Sequence, residues 1–314
     1  MKRPLDTLRL ATLLITALTT IFILVLFLSD KFIGFASNQW LTIVTMVTLF
    51  ATFLSFATQL LATQFANPAS LTISLLGYPY SGKTVFLTIL FNELATRVFP
   101  GFVFSPYGSE TIEKVTEDLN RLMQGQWLPP TPPDTLFFYR ANATSGTDIF
   151  KRKHKIEIGD YAGEHLETLE GKGDNQWLHK SSYFKFVVQS EVILLAIDSK
   201  IMMSEDSNKL SIVENGMLAA MQLLVSEKGV DISRKMKTPV ALLLMKSDLI
   251  SDNKRPEIEQ RLSRLVIYCH NHCSNFKIFW VSSVGEVGIE NSLLGKITPE
   301  GVVDPILWAI KLSR

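Results

Sequence analysis

The sequence predicts an α/β fold: a mainly parallel sheet flanked by helices, preceded by an N-terminal hairpin of two apolar helices. Three observations carry this. Short apolar runs of strand type alternate with helical stretches from Leu71 to the end of the chain, the pattern of strands joined by helical crossovers. The run Gly77-Tyr78-Pro79-Tyr80-Ser81-Gly82-Lys83-Thr84 fits the phosphate-binding pattern G-x-x-x-x-G-K-[ST], which belongs between a strand and a helix. No Asp, Glu, Lys or Arg stands between Lys31 and Lys83, so the excess apolar content behind a mean hydropathy of +0.20 is concentrated toward the N-terminus.

The leading segment comes first in the chain. Leu10 to Leu28 is almost uninterrupted apolar sequence, and at ~1.5 Å per residue it matches the hydrocarbon thickness of a bilayer. A second run from Leu41 toward Phe65 is uncharged, and the polar stretch Ser29–Trp40 separates the two. This predicts a transmembrane hairpin over residues 1–66, with spans at about 10–28 and 41–63. Trp40 suits the headgroup boundary. A cleaved signal peptide is the alternative for the first run, but that run exceeds the usual ~7–15 apolar residues and a second follows directly. A buried hydrophobic helical pair and one span with an interfacial helix are the others. Lys2, Arg3 and Arg9 precede the first span and keep that end cytoplasmic, so two crossings return residues 71–314 to the cytoplasmic side. The localisation expected is a bacterial inner membrane, with the lipid bilayer itself as a partner. Asn67-Pro68-Ala69-Ser70 reads as a short linker.

In the second part, Leu71–Leu76 predicts a buried strand and Val85–Leu90 the helix after the phosphate-binding turn. In such a turn the backbone amides from Gly77 through Tyr80, Ser81 and Gly82 and the helix dipole face an anion. Lys83 reaches the β- and γ-phosphates and the Thr84 hydroxyl binds Mg²⁺. Residues 99–107 are partly strand-like. Ser109–Gln124 has helical spacing with Ile112, Val115, Leu119 and Leu122 on one face. The proline-dense run Gly125–Pro133 excludes regular helix and predicts an extended loop.

Leu136–Tyr139 and Lys155–Ile158 predict strands, and the latter ends in Gly159-Asp160-Tyr161-Ala162-Gly163-Glu164. A carboxylate at a strand end beside a phosphate loop is placed for a water-bridged Mg²⁺ ligand. A glycine three residues on lets its amide approach the γ-phosphate. Val192–Ile197 is another buried strand, followed by a helix over Leu210–Val225. Val240–Leu244 leads into Met245-Lys246-Ser247-Asp248. Asp248 can accept two hydrogen bonds from the N1 and N2 donors of guanine, a pair adenine lacks, and the Lys246 stem can lie across the base. Ile278–Val281 ends in Ser282-Ser283-Val284, a loop that can touch the base edge.

These four elements, in this order, resemble the translation-factor-related class of P-loop GTPases, which includes Ras-like proteins. The resemblance covers Leu71 to Arg314, roughly three quarters of the chain. It implies GTP/GDP with Mg²⁺, phosphate and metal contacts from Lys83 and Thr84, γ-phosphate sensing by Asp160 and Gly163, guanine reading by Lys246 and Asp248, and base-loop positions at Ser282 and Ser283. The Trp127–Pro133 loop followed by Asp-x-Ala-Gly-Glu also resembles bacterial GTPase-like proteins of multi-component signalling or conflict systems. In architecture the chain is similar to the β-subunit of the signal recognition particle receptor.

Three departures from the family pattern stand out. Met245 occupies the place of the usual Asn. The spacing from Thr84 to Asp160 implies an insertion at about 99–134. Glu164 stands where Ras-like enzymes carry a water-orienting Gln; it can orient or deprotonate water, yet as an anion it repels phosphate. Slow hydrolysis, accelerated by a partner, is therefore expected, with Lys83, Glu164 and Thr131 as the catalytic set. Thr131 is the first choice for the switch threonine that completes the Mg²⁺ shell beside Thr84 and Asp160, with Thr135 second.

The leading expectation is a membrane-anchored GTPase switch working through protein effectors or activating partners, its loops at 125–135 and 160–175 exposing Tyr161, His165 and Trp177. The alternatives are a non-hydrolysing GTP-binding scaffold at the membrane and a transport-coupled ATPase. The absence of ionisable residues in both apolar runs argues against the ATPase. A net charge of +1 gives no basis for nucleic acid as a partner. Cys269-His270-Asn271-His272-Cys273 invites a zinc reading, but one short segment rarely fills a tetrahedron, and a helix end with a buried cysteine face is the simpler expectation.

Overall fold

The computed structural model describes residues 47–48, 50–55, 69–132, 136–146, 152–161, 182–229, 234–285 and 297–312. The chain divides into two compact units, Met1–Pro68 with Thr147–Arg152, and Ala69–Gly146 with Lys153–Arg314. Of the first unit, residues 50–55 are helical, and Val47, Phe50, Phe53 and Leu54 have exposed side chains. Most of the two expected spans lies outside the described residues, and among those described no helix is long and apolar enough to cross a membrane.

The second unit is built on a sheet of seven strands among the described residues: β1 (Ala69–Gly77), β2 (Phe102–Pro106), β3 (Leu136–Ser145), β4 (Arg152–Tyr161), β5 (Val192–Asp198), β6 (Val240–Met245) and β7 (Phe276–Val281). Their order is β2-β3-β4-β1-β5-β6-β7. The run β4-β1-β5-β6-β7 is parallel and β2 pairs antiparallel with β3. The predicted mainly parallel sheet is present, with strands longer than their apolar cores. Ser70, read as linker, already lies in β1. The turns carry the short 3-10 helices Ser247–Leu249 and Asp252–Lys254.

Helices cover both faces: α1 (Lys83–Thr96), α2 (Ser109–Met123), α3 (Ser182–Gln189), α4 (Ser199–Met202), α5 (Ser207–Glu227), α6 (Arg255–Arg261), α7 (Ser263–His272) and α8 (Asp304–Leu312). The central strands alternate strictly between two cores. Leu194, Ala196, Ala241, Leu243 and Met245 face α1 and α8. Ile193, Leu195, Ile197, Leu242 and Leu244 face α5, α6 and α7. Burial on both faces explains why these strands read as unbroken apolar runs rather than alternating ones. Each fully buried Leu or Ile adds about 1.5–3 kcal/mol.

The implied insertion consists of β2, α2 and the loop that follows. Its helix is rotated from the expected phase. Leu122 is buried and Val115 and Leu119 pack on the core, but Ile112 is exposed and Thr111 and Asp118 are buried instead. The cause is polar: the Thr111 hydroxyl accepts a hydrogen bond from the Arg140 amide on β3 at 3.2 Å. Among the described residues β2 is an edge strand, and its outer edge is blunted. Tyr107 N–H donates to Arg140 O and Gly146 N–H to Gly101 O, so Phe102, Phe104 and Pro106 turn their backbones outward. The Phe102 amide is bonded to Phe99 O and Pro106 has none, which removes two of three edge donors.

Candidate functional site

The site lies at the carboxyl ends of the parallel strands, where a sheet of this topology opens a crevice. β1 ends at Gly77, and the turn to α1 follows. At Gly77 a side chain would meet Ala196 O at 2.7 Å and Ser81 Oγ at 2.9 Å, so only glycine lets the loop pass this close to β5. Gly82 stands ahead of α1 with φ 89°. No side chain caps α1 and no acidic residue occupies its first turn. Its unpaired N–H groups and positive dipole end therefore remain available to an anion.

Lys83 is buried and folds back over the loop, its Nζ donating to Gly77 O at 2.8 Å and Tyr78 O at 2.9 Å. Burial lowers its pKa to about 8, against the opposing pull of the Asp160 charge. The Ser81 amide and hydroxyl both donate to Tyr78 O, so Ser81 braces the loop with groups that are already engaged. Tyr80 holds a left-handed conformation, φ 61°, with its ring exposed to solvent.

Three oxygens converge at the start of α1. The Thr84 hydroxyl donates to Asp160 Oδ2 at 2.9 Å and lies 3.0 Å from the Thr131 hydroxyl. Asp160 is fully buried on β4, and its Oδ1 makes no hydrogen bond among the described residues. Burial pushes its pKa up; the Lys83 charge and the Thr84 hydroxyl pull it back. Two hydroxyls and one buried carboxylate, its Oδ1 unsatisfied, make an oxygen-only donor set that suits a hard divalent cation such as Mg²⁺. The structure thus brings together Thr84, Asp160 and Thr131. Gly163, Glu164, Thr135, His165 and Trp177 lie outside the described residues.

The base side follows β6 and β7, whose parallel register pairs Met245 with Val281. Lys246 adopts φ 59°; its Nζ donates to Tyr80 O at 3.0 Å and pairs with Asp198 Oδ2 at 2.5 Å. This ties the base loop to the phosphate loop. Asp248 is exposed in the turn Ser247–Leu249. Met245 is buried in the core behind the phosphate loop. Ser282 Oγ accepts from the Gly285 amide at 3.0 Å, while the buried Ser283 Oγ makes no hydrogen bond among the described residues.

Sequence reasoning passed over Asp198. It closes β5, caps the short α4 by accepting from the Lys200 amide at 2.9 Å, and anchors Lys246. The signal was present: a single carboxylate ending an otherwise apolar strand, Val192–Ile197. Cys269 and Cys273 are both buried at the end of α7, with His270 and His272 exposed. No group of three or more His, Cys, Asp or Glu side chains suited to a metal exists among the described residues.

No curated protein matches the chain. Among solved structures, the Arl6 BBS3 small GTPase from Trypanosoma brucei with bound GppNp aligns at 15% identity and TM-score 0.41, over 78% of this chain and 99% of that one. The signal recognition particle receptor SRb-GTP/SRX complex from Chaetomium thermophilum aligns at 12% identity and TM-score 0.40, over 72% and 96%. The S. cerevisiae Ski7 GTPase-like domain, bound to GDP and inorganic phosphate, aligns at 18% identity and TM-score 0.42, over 72% and 45%. The family model described as Double-GTPase 2 matches residues 71–288, more than half of the chain. A phosphate-loop motif at the end of β1 and a mainly parallel sheet lie within the matched residues, and the chain belongs to the Double-GTPase 2 family.

Proposed function

We propose that this GTPase-domain protein is a Mg²⁺-dependent guanine-nucleotide switch, held at the cytoplasmic face of a membrane by its N-terminal apolar hairpin. The observation that carries the switch is the convergence of Thr84, Thr131 and Asp160 beside Lys83 and the uncapped start of α1. Thr131 comes from the proline-rich loop, so a cation and γ-phosphate would tie that loop to the phosphate site, and their loss would release it. Thr84, Asp160 and Thr131 would hold the cation, which neutralises phosphate charge when bound. Lys83 would trade its two carbonyl partners for the β- and γ-phosphates. Asp248 would read the guanine edge, and Lys246, braced by Asp198, would support the base.

Nucleotide binding by the full-length chain tests this. Saturable GDP and GTP binding is expected, with ATP weaker by at least about 100-fold because the Asp248 carboxylate would be left unpaired. Lys83→Ala and Asp248→Ala should each lose binding. Equal affinity for ATP and GTP would overturn the base assignment. The anchor is supported by the uncharged stretch between Lys31 and Lys83. A bacterial inner membrane, and effector proteins that read the 125–135 loop, belong to the same proposal.

A non-hydrolysing scaffold is the second reading. Met245 favours it: a buried methionine replaces a side-chain amide behind the phosphate loop. Glu164 in place of a neutral water-orienting amide argues the same way. Single-turnover GTP hydrolysis separates the two, because turnover that depends on Asp160 or Glu164 would exclude the scaffold.

A further inference from the structure

Behind the proposed cation site lies a buried polar group that no part of the nucleotide reading uses. Asp118 on α2 is almost wholly buried and pairs with Lys114 one turn earlier at 2.7 Å. The Thr88 hydroxyl on α1 donates to Asp118 Oδ2 at 3.5 Å. Tyr139 on β3 is fully buried, its ring against Phe91 and Phe137. Its hydroxyl, beside that of Thr88, makes no hydrogen bond of normal geometry among the described residues. Thr88 follows Thr84 by one turn of α1, and as Thr88 donates to Asp118 Oδ2, Thr84 donates to Asp160 Oδ2, so about 6 Å of helix axis separates the hydroxyls that engage the two carboxylates. A buried charge pair and an unsatisfied phenol are costly in a core. This one also joins the inserted helix to the carboxylate expected to serve the cation.

We propose that Lys114 and Asp118 are positioning residues through which the inserted helix α2 sets how tightly Asp160 and its neighbours hold Mg²⁺. The inference rests on the guanine-nucleotide reading above. Asp118 adds negative potential at the cation site and Lys114 subtracts it, so the two charges act with opposite sign in a medium that screens poorly. Any ligand that pulled Lys114, which is partly exposed, away from Asp118 would change the cation affinity without touching the nucleotide.

The test follows release of fluorescent GDP from the full-length chain as Mg²⁺ is varied, with release in EDTA as the metal-free reference. Asp118→Asn should raise the Mg²⁺ concentration for half-maximal protection by about three- to tenfold, and Lys114→Met should lower it by about two- to fivefold. Metal-free release rates should stay within about twofold of the unsubstituted chain. Damage to the fold would instead speed metal-free release and shift every variant the same way. The proposal fails if Asp118→Asn leaves the midpoint unchanged, or if the Asp118 and Lys114 substitutions move it in one direction. Absence of saturable GDP binding by the unsubstituted chain would be a separate result, and would sink the nucleotide reading itself.

Discussion

Lys83 concentrates the chemistry of the site in one side chain. Its ammonium is buried against two carbonyls, and that burial holds its pKa at about 8 rather than 10.5. The folded chain therefore binds fewer protons than the unfolded one between those values. The cost of burying the charge is fully present below about pH 8 and is relieved as pH rises toward 10.5, so this group's contribution to stability increases with pH in that window. A polyphosphate favours the charged form and restores the proton. GDP binding by the full-length chain should thus take up close to one proton per site near pH 9 and almost none at pH 6.5. Calorimetry in buffers of different ionisation enthalpy reads this directly, and equal uptake at the two pH values would exclude it. The lysine was plain in the sequence, because the motif spacing fixes its place. Asp198 was not, because its role depends on β5 ending beside β6, a pairing between residues far apart in the chain.

At the scale of elements, the phosphate loop is seated on a helix distant in sequence. The Tyr78 hydroxyl donates to Ile212 O on α5 at 3.0 Å, and the Tyr78 carbonyl accepts from both Ser81 and Lys83. Gly216 makes the seat, since a side chain there would come within 1.7 Å of the Tyr78 hydroxyl. Gly216→Ala should displace Tyr78 and with it a loop carbonyl that positions Lys83. Chemical denaturation should show a loss of about 1–3 kcal/mol, as for overpacking, and nucleotide affinity should fall in parallel. Adding Tyr78→Phe removes the worst contact and should recover part of both. Neither residue carries a signal in the sequence: a glycine in a helical run is ambiguous, and a tyrosine in a variable motif position is silent. The helices themselves were legible from apolar spacing. The phase of α2 was not, because Thr111 and Asp118 take inward positions through polar contacts with β3 and α1 that spacing does not register.

In the whole molecule, the strand periodicity and the phosphate-loop motif were enough to specify the sheet, since each central strand needs two apolar faces and the loop needs a strand before it and a helix after it. The edge pair β2 and β3 was only half visible, because its residues alternate and are broken by Gly and Pro. The N-terminal apolar runs have a consequence that connectivity sharpens. The proposed tether would join β1 at Ala69, and the phosphate loop leaves the same strand at Gly77, so at about 3.3 Å per residue the two attachment points are some 25–30 Å apart. Anchoring through one end of β1 should leave binding at the other end undisturbed. The full-length chain should therefore resist extraction by high salt and alkaline carbonate and be released only by detergent. Its GDP affinity in vesicles and in detergent should agree within about threefold, under 1 kcal/mol. Release by salt alone would remove the hairpin from the proposal. A large loss of affinity on insertion would mean that the bilayer reaches the pocket, and that occupancy and membrane contact regulate one another.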